Sequence, residues 1–355
     1  MPKIAGDDGA KPETIAPNIP QSVFDLTTLP AKDAVAAWQE GLGSMYNIRL
    51  HRDEADEPLR IRTKAYHFDG FILGDLQVGV KQDVARSRAR YARDGLDGYT
   101  LHFHSKECVA SAENRSHERV QSGDLLILDQ AQTSSSKLNG QDDLYMVVPR
   151  AMLAPLLKAP DEQNARIISG KSPLVALFRS HLHALHRAGA ELHPEAATAL
   201  NRPTLELAAA AINATVREEN SVGPQMILTA EICRYIDDHA IDTDLTVDKI
   251  AAAFSMSERR LYYLMSIHGG VAAYIQKVRL RRVRAALIDP ACRHRTIAEI
   301  AEGYGFTDPT NFSRAFRRTF DMSPRAVRAF ASAGWQGEVS TRHGSRTIWD
   351  WMRRI

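Results

Sequence analysis

Two stretches of this chain, starting about fifty residues apart, are written to the same plan, and few folds satisfy it. Asp244–Met265 reads DLTVDKIAAAFSMSERRLYYLM, and His294–Phe316 reads HRTIAEIAEGYGFTDPTNFSRAF. Each opens on a threonine (Thr246, Thr296), runs through an Ile-Ala pair (Ile250-Ala251, Ile300-Ala301) and ends its first apolar run on an aromatic (Phe254, Tyr304). Each then turns on a small residue followed by an apolar one, Ser255-Met256 and Gly305-Phe306. Beyond the turn, Leu261 and Leu264 correspond to Phe312 and Ala315 once the second copy is allowed one extra residue. The spacing predicts helix, tight turn and helix, twice.

Each element has a physical reason. Thr296 with Glu299 predicts a capping box that satisfies the free N–H groups at a helix start, and Asp308 before Pro309 predicts an N-cap followed by a residue already set to helical φ. Ala251 and Ala301 lack the bulk that would keep two crossing helices apart, and Gly305 can take the backbone a tight turn demands. The second helix of each pair then buries Leu261 and Leu264, or Phe312, Ala315 and Phe316, against its partner. Its other sides expose Ser257, Arg259, Arg260, Tyr262 and Tyr263 in the first copy, and Thr310, Asn311, Arg314, Arg317 and Arg318 in the second. Arg and Asn read guanine and adenine edges through paired hydrogen bonds, while Thr and Tyr reach phosphates or a thymine methyl. For one arginine alone, a solvated helix surface is the better reading; two matched copies with basic outer faces favour nucleic acid.

The segment between the copies adds to this. Ala273–Ile288 keeps Ile275, Val278, Val283, Ala286 and Leu287 for packing and is expected to present Arg279, Arg281, Arg282 and Arg284, with Arg281 and Arg282 on phosphates. At ~1.5 Å per residue, a connecting helix of about fifteen residues spans roughly 22 Å, which with the width of the units approaches the ~34 Å between successive major grooves. Charge follows the same division. The 355 residues carry 45 Lys+Arg against 43 Asp+Glu, but Met1–Pro224 holds 25 basic and 29 acidic residues, and Gln225–Ile355 holds 20 and 14. Within Ser257–Arg328 the ratio is 14 to 6. A double-stranded DNA partner for the C-terminal half is the expectation.

Ahead of the repeat the pattern changes. Residues 1–20, rich in Pro, Gly, Asp and Lys, read as a disordered arm. Val23 to Val148 reads mostly as short strands such as Gly98–His104 and Leu125–Asp129, separated by turn signals at Asp94-Gly95, Asp97-Gly98, Ser122-Gly123-Asp124 and Asn139-Gly140. Asp33–Gly41 and Val84–Arg90 are expected as short helices within this region. After Pro149, Leu174, Leu177, Phe178, Leu182 and Leu185 fall on one helical stripe, and Leu205, Leu207 and Ile212 on another. The expected layout is an arm over 1–20, a β domain over 21–150, a helical dimerisation or linker region over 151–224, the paired units over 225–333 and a basic tail over 334–355, with Trp349 and Trp351 as a packed or frayed extension. No run is long and apolar enough for a membrane span, and the N-terminus lacks the apolar stretch of a secretory signal, so a cytoplasmic protein with no membrane partner is expected. Cys108, Cys233 and Cys292 form no CxxC pair and predict neither disulfides nor a thiolate metal site.

The stretch IAEIAEGYGFTDPTNFSRAFRRTFDMSPRAVR, with its Ile-Ala, Gly-Phe, Phe-Ser-Arg-x-Phe, Ser-Pro and final Arg in order, resembles the AraC/XylS family of bacterial transcription regulators. The resemblance covers about Met226–Ala333. It implies an all-α domain of two helix-turn-helix units joined by a linker helix, binding asymmetric DNA sites. It places base-reading positions at Arg259, Tyr262 and Tyr263, and at Pro309, Thr310 and Arg314. It also implies an activator that recruits RNA polymerase. Met265 stands where the family usually has Phe, and Pro309 where it often has a polar contact residue, so the second unit is expected to act more through phosphates. The strand GYTLHFH, the segment VQSGDLLILD and the order of barrel, helices and DNA-binding unit resemble the cupin-like sensing domain of one branch of the family. The fold expected is therefore α+β in two domains, a cupin-like β-barrel with a helical extension followed by the all-α unit. A homodimer and a small-molecule effector with unassigned binding residues are implied.

Other constellations are weaker. His102 and His104 share a strand face and, with Glu107, suggest a metal-binding barrel; the set is incomplete, and no metal or cofactor is expected. His181, His183, His186 and His193 read as a wet helix surface. No nucleophile elbow, P-loop or dinucleotide fingerprint is present, so no catalytic residue is assigned and the chain is not expected to be an enzyme. Two alternatives remain at this point, a metal-dependent cupin enzyme with a DNA-binding appendage and an architectural binder without sequence preference.

Overall fold

The computed structural model describes residues 18–51, 59–113, 115–218, 224–242, 244–332 and 347–354. Of the arm expected over residues 1–20, residues 1–17 lie outside this set; Ile19 is buried, and its N–H donates to the Leu192 carbonyl at 3.0 Å. The N-terminal region runs β1 (Gln21–Asp25), α1 (Ala31–Gly41), β2 (Asn47–His51), β3 (Ile61–His67), β4 (Ile72–Arg86), α2 (Arg88–Asp94), β5 (Gly98–His104), β6 (Cys108–Ala112), β7 (Arg115–Val120), β8 (Leu125–Asp129) and β9 (Ser134–Pro149). With β10 (Arg166–Ile168), these strands form an antiparallel sheet in the order β1-β3-β4-β9-β5-β8-β10, with β2 on β4 and β6 between β7 and β9, curled into a nearly closed barrel. The helix expected over Val84–Arg90 is a correction. Val84–Arg86 complete β4, paired with β2 and β9, and the helix begins only at Arg88, where Ser87 caps it.

The β4–β9 ribbon gives the barrel its shape. The two strands pair along most of their length, and a register shift between Val78 and Lys81 bends them, so that β3 pairs before the bend and β2 after it. Strict alternation sorts the side chains. On β5, Tyr99, Leu101 and Phe103 face one layer, and Thr100, His102 and His104 face the barrel interior. On β9, Leu144, Met146 and Val148 join the first set, and Asp143, Tyr145 and Val147 the second.

The outer layer is helical. After α3 (Arg150–Leu153), helices α4 (Pro173–Ala188) and α5 (Pro194–Glu218) cover the Tyr99–Leu101–Phe103 face, burying Val175, Phe178, Leu182, Leu185, Leu205 and Ile212. The predicted stripe is off by one position: Leu177 is 58% exposed, and Val175 takes its place inside. His181 bonds Thr204 at 2.8 Å, and His186 lies against Tyr66 and Asp75, so two of the four histidines in that patch are packing residues.

The C-terminal half is all helix. It comprises α6 (Pro224–His239), α7 (Val247–Ala253), α8 (Glu258–Met265), α9 (Val271–Ile288), α10 (Ile297–Gly303), α11 (Pro309–Phe320) and α12 (Pro324–Ser332). One core gathers Ile232, Ile236, Ile250, Leu261, Leu264 and Tyr274 around the first half of α9; another gathers Val283, Leu287, Ile300, Phe312, Phe316 and Phe320 around its second half. The second core also takes in Tyr91 and Ala92 of α2, so the barrel and the helical half share apolar packing. A last helix, α13 (Thr347–Arg354), buries Ile348, Trp349 and Met352 in the barrel core; the rest of the tail expected over 334–355 lies outside the described residues.

Candidate nucleic-acid interface

Both helix-turn-helix units are built by the same local bonds. Thr246 and Thr296 cap α7 and α10, their hydroxyls accepting from the N–H of Lys249 at 3.3 Å and of Glu299 at 3.1 Å. In the second unit Glu299 returns the bond, accepting from the Thr296 N–H at 2.6 Å, which completes the predicted capping box. Lys249 stands at the matching place in the first unit and cannot accept, so the box is missing there. At the turns, the Met256 N–H donates to Ala251 O at 2.9 Å and the Phe306 N–H to Ala301 O at 3.0 Å. The residue between is left-handed in both, Ser255 at φ 50° and Gly305 at φ 83°. A Cβ on Gly305 would also stand 2.8 Å from Arg279 Nη1, so glycine there serves the backbone and the passing side chain together.

These turns present α8 and α11 outward. Ser257 caps α8, accepting from the Arg260 N–H at 3.3 Å, and Asp308 caps α11, accepting from the N–H groups of Thr310 at 2.7 Å and Asn311 at 2.9 Å. Leu261, Leu264 and Met265 on α8, and Phe312, Ala315, Phe316 and Phe320 on α11, are buried. Ser257, Arg259, Arg260, Tyr262, Tyr263, Thr310, Asn311, Arg314, Arg317 and Arg318 are all exposed, as the repeat predicted. Tyr262 and Tyr263, side by side on α8, are 49% and 66% exposed. The Asn311 amide donates to Asp308 at 3.0 Å, an internal engagement that the sequence did not suggest.

The linker arginines are a correction. None of the four stands free on the outer face of α9. Arg279 donates to the carbonyls of Ala240 at 3.2 Å and Asp242 at 2.8 Å, Arg282 donates to Asp237 O, and Arg284, fully buried, lies over the Tyr91 ring at 3.9 Å and donates to Tyr91 O. Arg281, with its side chain 17% exposed, is paired with Asp161 at 2.9 Å and Asp237 at 3.1 Å. The helical period put these residues on α9, but α6 covers Arg279 and Arg282 and the barrel side covers Arg281 and Arg284, and a charge moved out of water must find carboxylates or carbonyls. Asp161 also accepts from Tyr274 Oη at 2.6 Å and from Arg150 at 3.2 Å. Burial alone would raise the Asp161 carboxyl, but Arg281 and Arg150 hold it well below the usual range; Asp237 is pushed up, first by burial and then by Asp161 beside it. Arg281 and Arg284 thus bind the two halves of the chain together here, while Arg279 and Arg282 hold α9 to α6 and the turn after it.

A second feature lies inside the barrel. A cavity of about 100 Å³ is walled by apolar residues including Trp38, Leu126 and Val147 and ends at His102, His104 and Asp143. His102 Nδ1 lies 2.7 Å from Asp143 Oδ2, and His104 Nδ1 lies 3.3 Å from Asp143 Oδ1. Burial pushes His104 down to about 4, so its imidazole is neutral at pH 7. Burial would raise Asp143, but the two imidazoles hold it below its ordinary value. One donor atom from each of the three residues lies within 4.8 Å of the others, a set able to take a divalent cation. Glu107, the carboxylate suggested by the sequence, lies elsewhere, against Gln121 and Arg119. Asp143 replaces it because β9 pairs with β5 in a register that sets Asp143 opposite His104, a long-range pairing with no local signal.

With this geometry in hand, comparison with known proteins becomes informative. Residues 250–329 match a family model described as a helix-turn-helix domain. The chain is similar to the transcriptional activator NphR of Rhodococcus sp, 27% identical over 278 residues, covering 74% of this chain and 81% of that protein. It is 34% identical over 114 residues to the HTH-type transcriptional activator RhaS of Escherichia coli O139:H28 (strain E24377A / ETEC), covering 31% of this chain and 37% of RhaS. Among solved structures, the AraC-like transcriptional activator CuxR has the same fold, with a TM-score of 0.52 at 16% identity over 74% of this chain and 94% of that one. No helix among the described residues is long and apolar enough to cross a membrane.

Proposed function

We propose that the chain, a cupin-like barrel ahead of two helix-turn-helix units, is a DNA-binding transcriptional regulator of the AraC/XylS type that activates transcription by laying α8 and α11 in successive major grooves of one duplex. The observation that carries this reading is the pairing of identical turn geometry with an uncovered polar face on both second helices. Arg259, Tyr262, Tyr263, Thr310 and Arg314 are the proposed base readers, and Ser257, Arg260, Asn311, Arg317 and Arg318 the proposed backbone contacts. Pro309, at the first turn of α11, is left to shape the helix start. α9 is 18 residues long, roughly 27 Å at 1.5 Å per residue, a strut of the length needed to separate two groove-reading helices.

The activators to which the chain is similar support an activating sign, and RNA polymerase is the partner proposed to go with it. Effector control is assigned to the barrel cavity, dimerisation to the outer layer of α4 and α5, where Leu177 stands exposed, and a cytoplasmic location follows from this work. The site-specific reading is tested by footprinting on genomic fragments in competition with scrambled duplex. Protection over two successive turns, resistant to the scrambled competitor, is expected; a footprint of one turn, or equal affinity for scrambled DNA, overturns it. A second reading, a metal-dependent enzyme carrying a DNA-binding unit, rests on the His102, His104 and Asp143 set. Metal analysis of the purified protein separates the two: about one equivalent together with turnover favours the enzyme.

A further inference from the structure

The last helix of the chain does not sit on the DNA-binding units that precede it. α13 is seated on the barrel, where Ile348, Trp349 and Met352 join Phe24, Trp38 and Tyr145 in one core. The Trp349 indole meets Phe24 edge-on with centroids 5.5 Å apart and Trp38 at 6.0 Å, and Trp351 lies 5.4 Å from the His67 ring. The fit is tight: a Cβ on Gly41, at the end of α1, would stand 2.8 Å from the indole. Trp349 and Met352 are also walls of the barrel cavity.

Size and polarity then decide what this cavity can take. At about 100 Å³ it is smaller than the roughly 150 Å³ in which a protein interior accommodates benzene, and far below the ~300 Å³ at which ordinary small-molecule sites begin. A ring-bearing ligand therefore fits only where the indole and thioether now are. Two deeply buried polar atoms on the cavity lining, Gln82 Nε2 and Asp143 Oδ1, make no hydrogen bond, although Asp143 Oδ1 lies 3.3 Å from His104 Nδ1. An entering molecule would be apolar, with a donor for the carboxylate and an acceptor for the amide.

We propose that α13 is a stopper on the barrel, and that a flat, uncharged, ring-sized ligand with a hydrogen-bond donor enters by displacing it. The stopper resembles that ligand, since an indole is itself a flat ring system with one N–H. Displacement has a mechanical consequence. Residues 333–346 join α12 to α13, and residues 219–223 join α5 to α6, so the DNA-binding units are tied to the barrel at both ends while α13 is seated. Ligand entry unties one end. The inference rests on the assignment of effector control to the barrel and supplies its switch.

The test uses indole as probe on the full chain. Trp349→Ala should bind indole at least about tenfold more tightly than the unaltered chain, because the site no longer competes with a seated side chain. In the unaltered chain, high indole should speed hydrogen exchange over residues 348–352 and leave α11 unchanged. Gly41→Ala provides a second route, unseating α13 from outside without hollowing the barrel, and should give the same gain even if Trp349→Ala folds poorly. Equal indole affinity in all three proteins, with exchange at α13 unmoved, would overturn the stopper while leaving the barrel as a ligand site. Folded variants that bind no indole would overturn both the stopper and the effector assignment on which it rests.

Discussion

The two helix-turn-helix units share caps, turn bonds and an exposed second helix, yet they are held by different forces. The first is tied to the barrel through polar groups: Tyr274 and Arg281 of α9 reach Asp161 of the barrel side and Asp237 of α6 together, and His268 lies 3.4 Å from Glu162. The second is tied mainly through apolar and aromatic contact, beside the Arg284 bond to Tyr91 O, and no ion pair between described residues joins it to the barrel. Phe320 packs on Tyr91 with centroids 5.7 Å apart, Phe330 lies under Arg93 at 4.8 Å, and Phe312, Phe316 and Phe320 stack in series. Two copies of one local design therefore respond differently to loss of a partner. Removing one member of a buried ion pair leaves the other charge short of compensation, whereas trimming an apolar contact costs packing alone.

The largest test of this contrast removes the polar tie. Asp161→Ala leaves Arg281, where it is now buried, with Asp237 alone and takes a carboxylate from Arg150, and should destabilise the docking of α6 and α9 by about 3 kcal/mol, the lower end for a broken buried pair. Hydrogen exchange should rise in α7 and α8 and stay low in α10 and α11; equal loosening of both units would erase the distinction. Arg281→Ala should act in the same direction and leave the salt slope of DNA binding unchanged, since a side chain already paired with carboxylates releases no counterions from DNA. A flattened slope would return Arg281 to the phosphates.

At the reading faces the units should behave alike. Arg259→Ala and Arg314→Ala are each expected to relax preference at one base position, by about 1–3 kcal/mol if the contact is paired, measured by binding to operator variants. A uniform loss across all variants from either substitution would make that arginine a phosphate contact and would separate the units in function as well as in docking. The turns provide a smaller test. Gly305→Ala places a side chain at φ 83° and should cost about 1–2 kcal/mol in thermal unfolding, while Ser255→Gly, relieving φ 50°, should be neutral or stabilising by up to about 1 kcal/mol. The smallest test is at the caps. Glu299→Ala should cost about 0.5 kcal/mol in thermal unfolding, because it removes the bond to the Thr296 N–H, while Lys249→Ala at the matching place removes no such bond and should be near neutral.

Much of the DNA-binding half was legible because its signals are local. Thr296 and Glu299, Asp308 and Pro309, and the Ile-Ala pairs act within one turn of helix, and each did in space what its neighbours in sequence required. The linker arginines were misjudged for the opposite reason. Helical period says which side a residue occupies but not what comes to cover it, and Asp161, which holds Arg281, is 120 positions away. Strand alternation likewise put His102 and His104 on one face and could not name Asp143 as the third member.

From the order of its residues alone, then, the protein was bound to form two capped helix pairs with basic outer faces behind a strand-rich domain, because capping, turn chemistry and periodic apolarity are settled within a few residues. Only the folded chain decided that the arginines of α9 face carboxylates and carbonyls, that Asp143 closes the histidine pair, and that Trp349 lines the barrel cavity. Those outcomes depend on which surfaces meet across tens to hundreds of residues, and burial, which sets the cost of each charge and the shape of each cavity, exists only after they have met.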